Sequence, residues 1–279
     1  MRVSVIIPSQ KSFAQTAVTL RHLLAQKIPQ GGVEVIWVSP YPRPQGLGTQ
    51  FLQFKWITTS QPLSAASARN LGISHSHGEL LVFLDDDMLV GADFVLLHLN
   101  AHEANTAMGI VRGLRFQVRA QYINSILDAG HITDLKELQR VSYLPVFELE
   151  AQKMLTHQRR AGFRTNWIYC ITANLSIYRS ALPAGPLFDE NFAGAACEDT
   201  EMCYRLYSMG FRMRMAPLAV GFHVHPFPEV SRKMAESLLQ NIDYFSNKYK
   251  QDNEVKHITR KMRHSVLQGK VGGYLYGNT

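Results

Sequence analysis

Apolar runs that stop abruptly at polar or turn residues punctuate the first third of the chain. Val3-Ser4-Val5-Ile6-Ile7-Pro8 and Val33 to Val38 read as buried strands, and Phe54 to Ile57 as a short third. Leu80-Leu81-Val82-Phe83-Leu84 is an unbroken apolar run, the pattern of a strand covered on both faces. Between these runs the period changes. Ser12-x-x-Gln15 is a capping-box signal, and Phe13, Ala17, Leu20 and Leu24 recur at helical spacing, predicting a helix to about Gln26. Ser64 can cap a second helix running through Ala65, Ala66, Ala68, Leu71 and Ile73. Strands and helices in this alternation need crossover connections, so the pattern predicts an α/β fold with a mostly parallel sheet flanked by helices.

From Gly91 to about Gly162 the pattern is helical and mixed, with Val141 to Phe147 either a strand or an extended loop. Tyr169 to Tyr178 alternates as a strand carrying Thr172, Asn174 and Ser176. A helix is expected from Cys197 to Met209, stopped by Gly210, and then a strand ending at His223-Val224-His225-Pro226. Met234, Leu238, Ile242, Phe245 and Tyr249 mark a long amphipathic helix. Val255, Ile258, Met262 and Val266 mark another with a basic outer face.

Composition changes this picture little. At 279 residues with 46% hydrophobic and 18% charged positions, the chain is an ordinary globular one. Cys170, Cys197 and Cys203 make no disulfide framework, which suits a reducing compartment and predicts a cytoplasmic setting. The N-terminal run ending at Pro8 is too short for a signal peptide, and no stretch approaches the roughly 20 apolar residues of a membrane helix. The net charge of +7 is concentrated between Lys248 and Lys270, where seven basic residues face two acids. That segment could rest on an anionic membrane surface, a peripheral contact at the inner face, or be a solvated helix face. Basic residues confined to the tail, without an RNA or DNA motif, argue against nucleic-acid binding.

The candidate chemistry lies where the fourth strand ends. Asp85, Asp86 and Asp87 fall at the carboxyl end of a buried strand, where open α/β sheets bind ligands. Three adjacent carboxylates repel unless a cation joins them, and their hard oxygens suit Mg²⁺ or Mn²⁺. A second acid site opens the helix from Cys197. Asp199 shares a face with Met202, Cys203 and Leu206 at the mouth of the core-facing stripe, where it could act as a general base. Glu198, Glu201 and Arg205 fall on the other side, with Glu201 pairing Arg205 at four-residue spacing and Glu198 expected toward solvent or a loop.

These pieces occur in an order: Val-Ser-Val-Ile-Ile-Pro at 3–8, Ala68-Arg69-Asn70-x-Gly72, Gly78-Glu79 leading to Asp85-x-Asp87, and Phe188-Asp189-Glu190 leading to Glu198-Asp199, Arg205 and Gly210. The set resembles family 2 glycosyltransferases of the GT-A fold, over roughly residues 1–225. The resemblance implies a nucleotide-sugar-binding catalytic domain at 1–228 and a basic helical extension at 229–279. It implies a divalent ion, Mn²⁺ or Mg²⁺, on Asp87, with His223 matching a histidine that in some related enzymes completes the metal shell. His225, two residues on, points to the opposite side of an extended segment.

Asp85 and Asp87 match the DxD motif, and Asp199 matches the catalytic base of inverting members. Pro8, Ser9, Arg69, Asp85 and Asp86 are expected on the donor side. Trp167, Asn174 and Glu198 are expected near the acceptor, Trp167 as an aromatic platform or as core packing. The donor implied is a nucleotide-sugar, with a UDP-sugar favoured, although the family's base-reading acidic run reads here Val38-Ser39-Pro40-Tyr41. The acceptor implied is a glycan or a lipid-linked hydroxyl. Two rivals compete: a haloacid dehalogenase-type phosphatase using Asp85 as nucleophile, and a non-catalytic glycan- or partner-binding member of the same fold.

Overall fold

The computed structural model describes residues 1–45, 53–103, 109–129, 134–156, 166–193, 196–225 and 231–268, with only the backbone of Ala14 and Gln15. The capping partner Gln15, the basic Lys270 and the expected boundary at 228 lie outside these described side chains and residues.

The strands run β1 (Val3–Pro8), β2 (Val33–Ser39), β3 (Gln53–Thr58), β4 (Leu80–Leu84), β5 (Met88–Val90), β6 (Gly109–Val118), β7 (Ser142–Tyr143), β8 (Asn174–Tyr178) and β9 (Arg212–His223). They form one sheet in the order β3-β2-β1-β4-β8-β6-β9-β5, with β7 on β6. The sheet is parallel over β3-β2-β1-β4 and again between β6 and β9, as the α/β pattern predicts. Antiparallel pairs enter at β4–β8, β8–β6, β5–β9 and β6–β7.

Both faces of the first strands are buried. Ile6, Ile36, Leu81 and Phe83 point into a cluster with Phe188, Met202 and Leu206. Val5, Ile7, Val35, Val82 and Leu84 point the other way, against Leu20, Leu23 and Phe94. This is why the runs are continuously apolar rather than alternating. The first cluster is covered by α2 (Ala65–Ser74), α7 (Glu198–Ser208), α8 (Arg232–Lys248) and α9 (Asn253–Leu267), and the second by α1 (Phe13–Leu24) and α3 (Phe94–Glu103). Gly72 lets α2 lie directly on β1, since a Cβ there would stand 2.5 Å from Ile6 Cγ2.

Three expectations are corrected. Residues 109–118 form a ten-residue strand inside the stretch read as helical and mixed; Arg112, Gly113, Arg115 and Gln117 interrupt its apolar pattern. Arg112 is nevertheless fully buried, paired with Glu148 on α6 (Val146–Thr156). The strand expected from Tyr169 begins only at Asn174, after a 3₁₀ turn at Asn166–Tyr169. Glu201, placed off the core-facing stripe by helix periodicity, pairs with Arg205 as expected (3.1 Å) but is fully buried, because α8 brings Lys248 to it at 2.9 Å and Tyr249 donates a hydrogen bond to it.

Behind the sheet a buried polar chain ties α3 to β8 and β6. Asn174 Nδ2 donates to Leu114 O (3.0 Å) and Ala219 O (2.9 Å), carbonyls flanking a register shift between β6 and β9. Its Oδ1 therefore accepts from His98 Nε2 (2.8 Å). His98 Nδ1 then accepts from Ser176 Oγ (2.8 Å), which accepts in turn from His102 Nε2 (2.9 Å). With both imidazoles neutral, every donor in this chain has an acceptor. Burial pushes both histidines down to about 4, against the hydrogen bonds that favour their protonated forms.

A folded-state pKa below the unfolded value of about 6.5 means that stability is complete above that value. It falls as the pH drops toward 4, by about 1.4 kcal/mol per pH unit for each histidine. Urea unfolding at pH 7.5, 6 and 5 should show this loss, and His98→Gln should remove roughly half of the slope. An unchanged slope in that variant would refute the assignment.

Candidate active site

A cavity of about 250 Å³ opens at the carboxyl ends of β1, β2 and β4. Its walls come from Pro8 and Ser9 at the end of β1, Ser39 at the end of β2, Arg69 on α2, and Asp85, Asp86 and Asp87. The three acids occupy a tight turn between β4 and β5, closed by Met88 N–H donating to Asp85 O at 3.3 Å. Pairing of Met88 with His223 and of Asp87 O with Val224 N–H (3.0 Å) fixes the acidic turn against the end of β9.

Each acid has its own partner. Asp86 accepts from Ser9 Oγ at 2.6 Å and lies 3.1 Å from the Lys11 ammonium. Asp87 also pairs with Lys11, and its Oδ2 lies 3.3 Å from His223 Nε2. Burial would raise the Asp87 pKa, but hydrogen bonds and charge from His223 and Lys11 outweigh it and hold the carboxyl well below its usual range. Asp86 is pushed up instead, by burial and by the neighbouring Asp87 charge. Asp85 pairs with Arg69 Nη2 at 3.3 Å.

Arg69 joins the two acid sites. Its side chain is buried, it stacks 5.5 Å from the Phe188 ring centroid, and its Nη1 holds Glu198 Oε1 at 2.8 Å. Glu198 is thus a buried partner of Arg69 and not the solvent-facing residue that periodicity suggested. Its pKa is pushed up by burial and then by Asp199, with Arg69 opposing. Asn70 latches the next motif: its Oδ1 accepts from Phe188 N–H (2.9 Å) and its Nδ2 donates to Phe188 O and Glu190 Oε1, both at 2.8 Å. These bonds explain the Arg-Asn spacing on α2.

Asp199 stands in the first turn of α7, half-buried. Its Oδ1 accepts from Thr200 N–H at 2.7 Å and its Oδ2 from Thr172 N–H at 3.4 Å. The turn that delivers it is strained: Ala196 and Cys197 both have positive φ, at 82° and 74°. Non-glycine residues adopt this region at a cost, and such strain concentrates at functional sites.

Among the described residues no group of three His, Cys, Asp or Glu side chains is arranged to hold a metal ion. The Asp87–His223 pair nonetheless has the chemistry for two ligands of one. Asp87 Oδ1 is buried without a hydrogen-bond partner. Gln117 Nε2 donates to the carbonyls of Val118, His223 and His225, so its Oε1 faces His223 Nδ1 at 2.9 Å and accepts that N–H. Nε2 is thereby turned toward Asp87, the arrangement of a metal-ligating histidine held by an outer partner. His225 is exposed and meets this network through its carbonyl.

Of the acceptor-side residues Glu198 joins the site through Arg69, whereas Trp167 and Asn174 do not gather here. Trp167 is fully buried against Tyr204 and Phe245, with its indole N–H donating to Glu254 at 2.8 Å, so it packs the core. Asn174 belongs to the polar chain under the sheet. Sequence reasoning missed Lys11 and Gln117. A lysine after a strand looks solvated, and Gln117 lies on the strand that was itself missed; the only available signal for Lys11 was its place three residues beyond Pro8.

The profile of glycosyl transferase family 2 matches residues 4–174, and the chain belongs to that family. It is 27% identical over 212 residues to the uncharacterized glycosyltransferase YfnE of Bacillus subtilis, covering 66% of this chain and 53% of that protein. It is also 27% identical over 193 residues to a validoxylamine A glucosyltransferase of Streptomyces hygroscopicus, covering 66% and 44%. The chain thus spans about half the length of the curated relatives it matches.

Solved structures share the GT-A fold. TarS 1–349 of S. aureus in complex with UDP-GlcNAc aligns at TM-score 0.58 and 16% identity over 98% of this chain and 75% of that one. The Pyrobaculum calidifontis mannosyltransferase PcManGT, in complex with GDP-Man and Mn²⁺, aligns at 0.57 and 15% over 100% and 76%. GalNAc-T7 with UDP, GalNAc and Mn²⁺ aligns at 0.61 and 12% over 96% and 51%. Family and fold together set aside the phosphatase reading.

Replacing Arg69 by Met leaves Glu198 buried without its cation. The change should cost about 3–5 kcal/mol in denaturant unfolding. A cost below about 1 kcal/mol would show that the bridge does not organise the two acid sites.

Proposed function

We propose that the protein transfers a sugar from a nucleoside diphosphate sugar to a hydroxyl of a glycan or lipid-linked acceptor, with inversion at the anomeric carbon. The observation that carries the reading is the Arg69 bridge. It fastens the acids of the donor cavity to the first turn of α7, which bears Asp199. A donor seated over Asp85 and Asp86 therefore has a carboxylate beside it, and TarS and PcManGT were crystallised with such donors.

In this reading Ser9, Asp85 and Asp86 seat the nucleoside and sugar, and Arg69 holds the acids in place. Asp199 takes the proton of the acceptor hydroxyl as its oxygen attacks the anomeric carbon. The bond from that carbon to the diphosphate breaks, and its electron pair leaves with the diphosphate. One base and no second carboxylate nucleophile means single displacement, hence inversion. Asp87 and His223 would hold a divalent ion, Mn²⁺ or Mg²⁺, which supplies Lewis-acid neutralisation of the departing diphosphate. A UDP-sugar remains the favoured donor, although the acids lining the cavity are Asp85, Asp86 and Asp87 and none follows β2.

No helix among the described residues is long and apolar enough to cross a membrane. The apolar stripe of α9 is spent on the core through Val255, Ile258, Met262 and Val266. A contact of α9 with an anionic lipid surface would therefore be electrostatic, through exposed residues such as Arg260 and Lys261.

Two measurements test the reading. Calorimetry with UDP, GDP, CDP, ADP and dTDP should give binding of one nucleotide, UDP by preference, strengthened by Mn²⁺; Asp87→Ala should abolish the Mn²⁺ increment. Absence of binding in every condition would favour a non-catalytic, partner-binding member of the family. Asp199→Asn should lower kcat by about 10²–10⁴ with nucleotide affinity unchanged. Full activity in that variant would remove Asp199 as the base.

A further inference from the structure

The Lys11 ammonium sits between Asp86 and Asp87 and contacts Asp87 Oδ2, the same oxygen that faces His223 Nε2. Two cations cannot share that oxygen without strong repulsion. We propose that Lys11 is a resident counter-ion of the donor site, which a divalent ion must displace and which passes to the diphosphate when the nucleotide arrives. The inference rests on the glycosyltransferase reading of the site.

The geometry supports the exchange. Lys11 lies in the short link between Pro8, the last residue of β1, and Phe13, the first of α1, so its backbone is anchored on both sides of the cavity mouth. It lines the same cavity as Ser9, Arg69 and the three acids. Its side chain is 24% exposed, open enough to rotate on its four-carbon stem. Arg69, by contrast, is locked by Glu198, Asp85 and Phe188 and has no such freedom.

A site that already holds a cation has no need of a metal ion until an anionic ligand draws that cation away. Lys11 therefore suppresses metal binding in the empty protein and adds to nucleotide binding, a coupling between the two ligands made by one side chain.

Free Mn²⁺ measured by electron paramagnetic resonance reads the first half directly, without any turnover. Without nucleotide, Lys11→Met and Lys11→Gln should bind Mn²⁺ about tenfold more tightly than the unaltered protein. In the presence of a chelator, both variants should bind UDP several-fold more weakly by calorimetry. Two variants guard against a folding defect in either, and an unchanged thermal midpoint identifies the folded ones. Mn²⁺ affinity equal in variant and unaltered protein would overturn the inference while leaving the transferase reading standing. If neither the unaltered protein nor the variants bind Mn²⁺, both the inference and the metal assignment fall.

Discussion

Five carboxylates converge at one end of this sheet, and the structure depends on how their repulsion is contained. Asp85, Asp86 and Asp87 leave β4 in a single turn, and Glu198 and Asp199 open α7 beside them. Two basic side chains contain the charge in different ways. Arg69 is fixed, with carboxylates on two of its nitrogens and an aromatic ring against its plane, and so it behaves as part of the framework. Lys11 is held on a flexible stem by the charge of two carboxylates and a hydrogen bond to Asp87. The site accordingly has a rigid half facing α7 and an adjustable half facing the cavity, a division suited to a ligand that itself carries negative charge.

Much of this architecture can be read from the chain before it is folded. Strands covered on both faces must be apolar throughout, so β1, β2 and β4 stand out. A run of acids directly after such a strand marks the ligand end of an α/β sheet. What escapes is whatever depends on distant partners. Arg112 reads as a strand breaker until Glu148 neutralises it from another helix. Glu201 reads as an acid off the core-facing stripe until Lys248 and Tyr249 cover it. Trp167 and Asn174 have the residue types of a sugar-binding surface, yet their polar atoms are consumed by Glu254 and by the β6–β9 register shift. Local periodicity reports which face a residue takes, not what is packed on that face.

The two C-terminal helices supply several of those covers. Phe245 and Val255 belong to the same cluster as Phe83 on β4. Tyr244 and Lys248 hold Asp189, while Asp252 accepts from Tyr204 on α7 at 2.6 Å. The helix that carries Asp199 is therefore gripped on one side by Arg69 from the donor half and on the other by α8 and α9. Side chains on α7 are positioned by packing against both, so their placement at the cavity is fixed from two directions.

The strained turn ahead of that helix has a practical corollary. Cys170, Cys197 and Cys203 are all buried, and burial together with the adjacent acids pushes the Cys197 thiol far up, so it is inert while the turn is closed. Cys197 is also one of the two positive-φ residues of that turn and immediately precedes Glu198 and Asp199. Its modification by a thiol reagent would then be limited by how often this turn opens. The chain thus contains, at the base of its own candidate catalytic helix, a native chemical clock for the local motion of that helix.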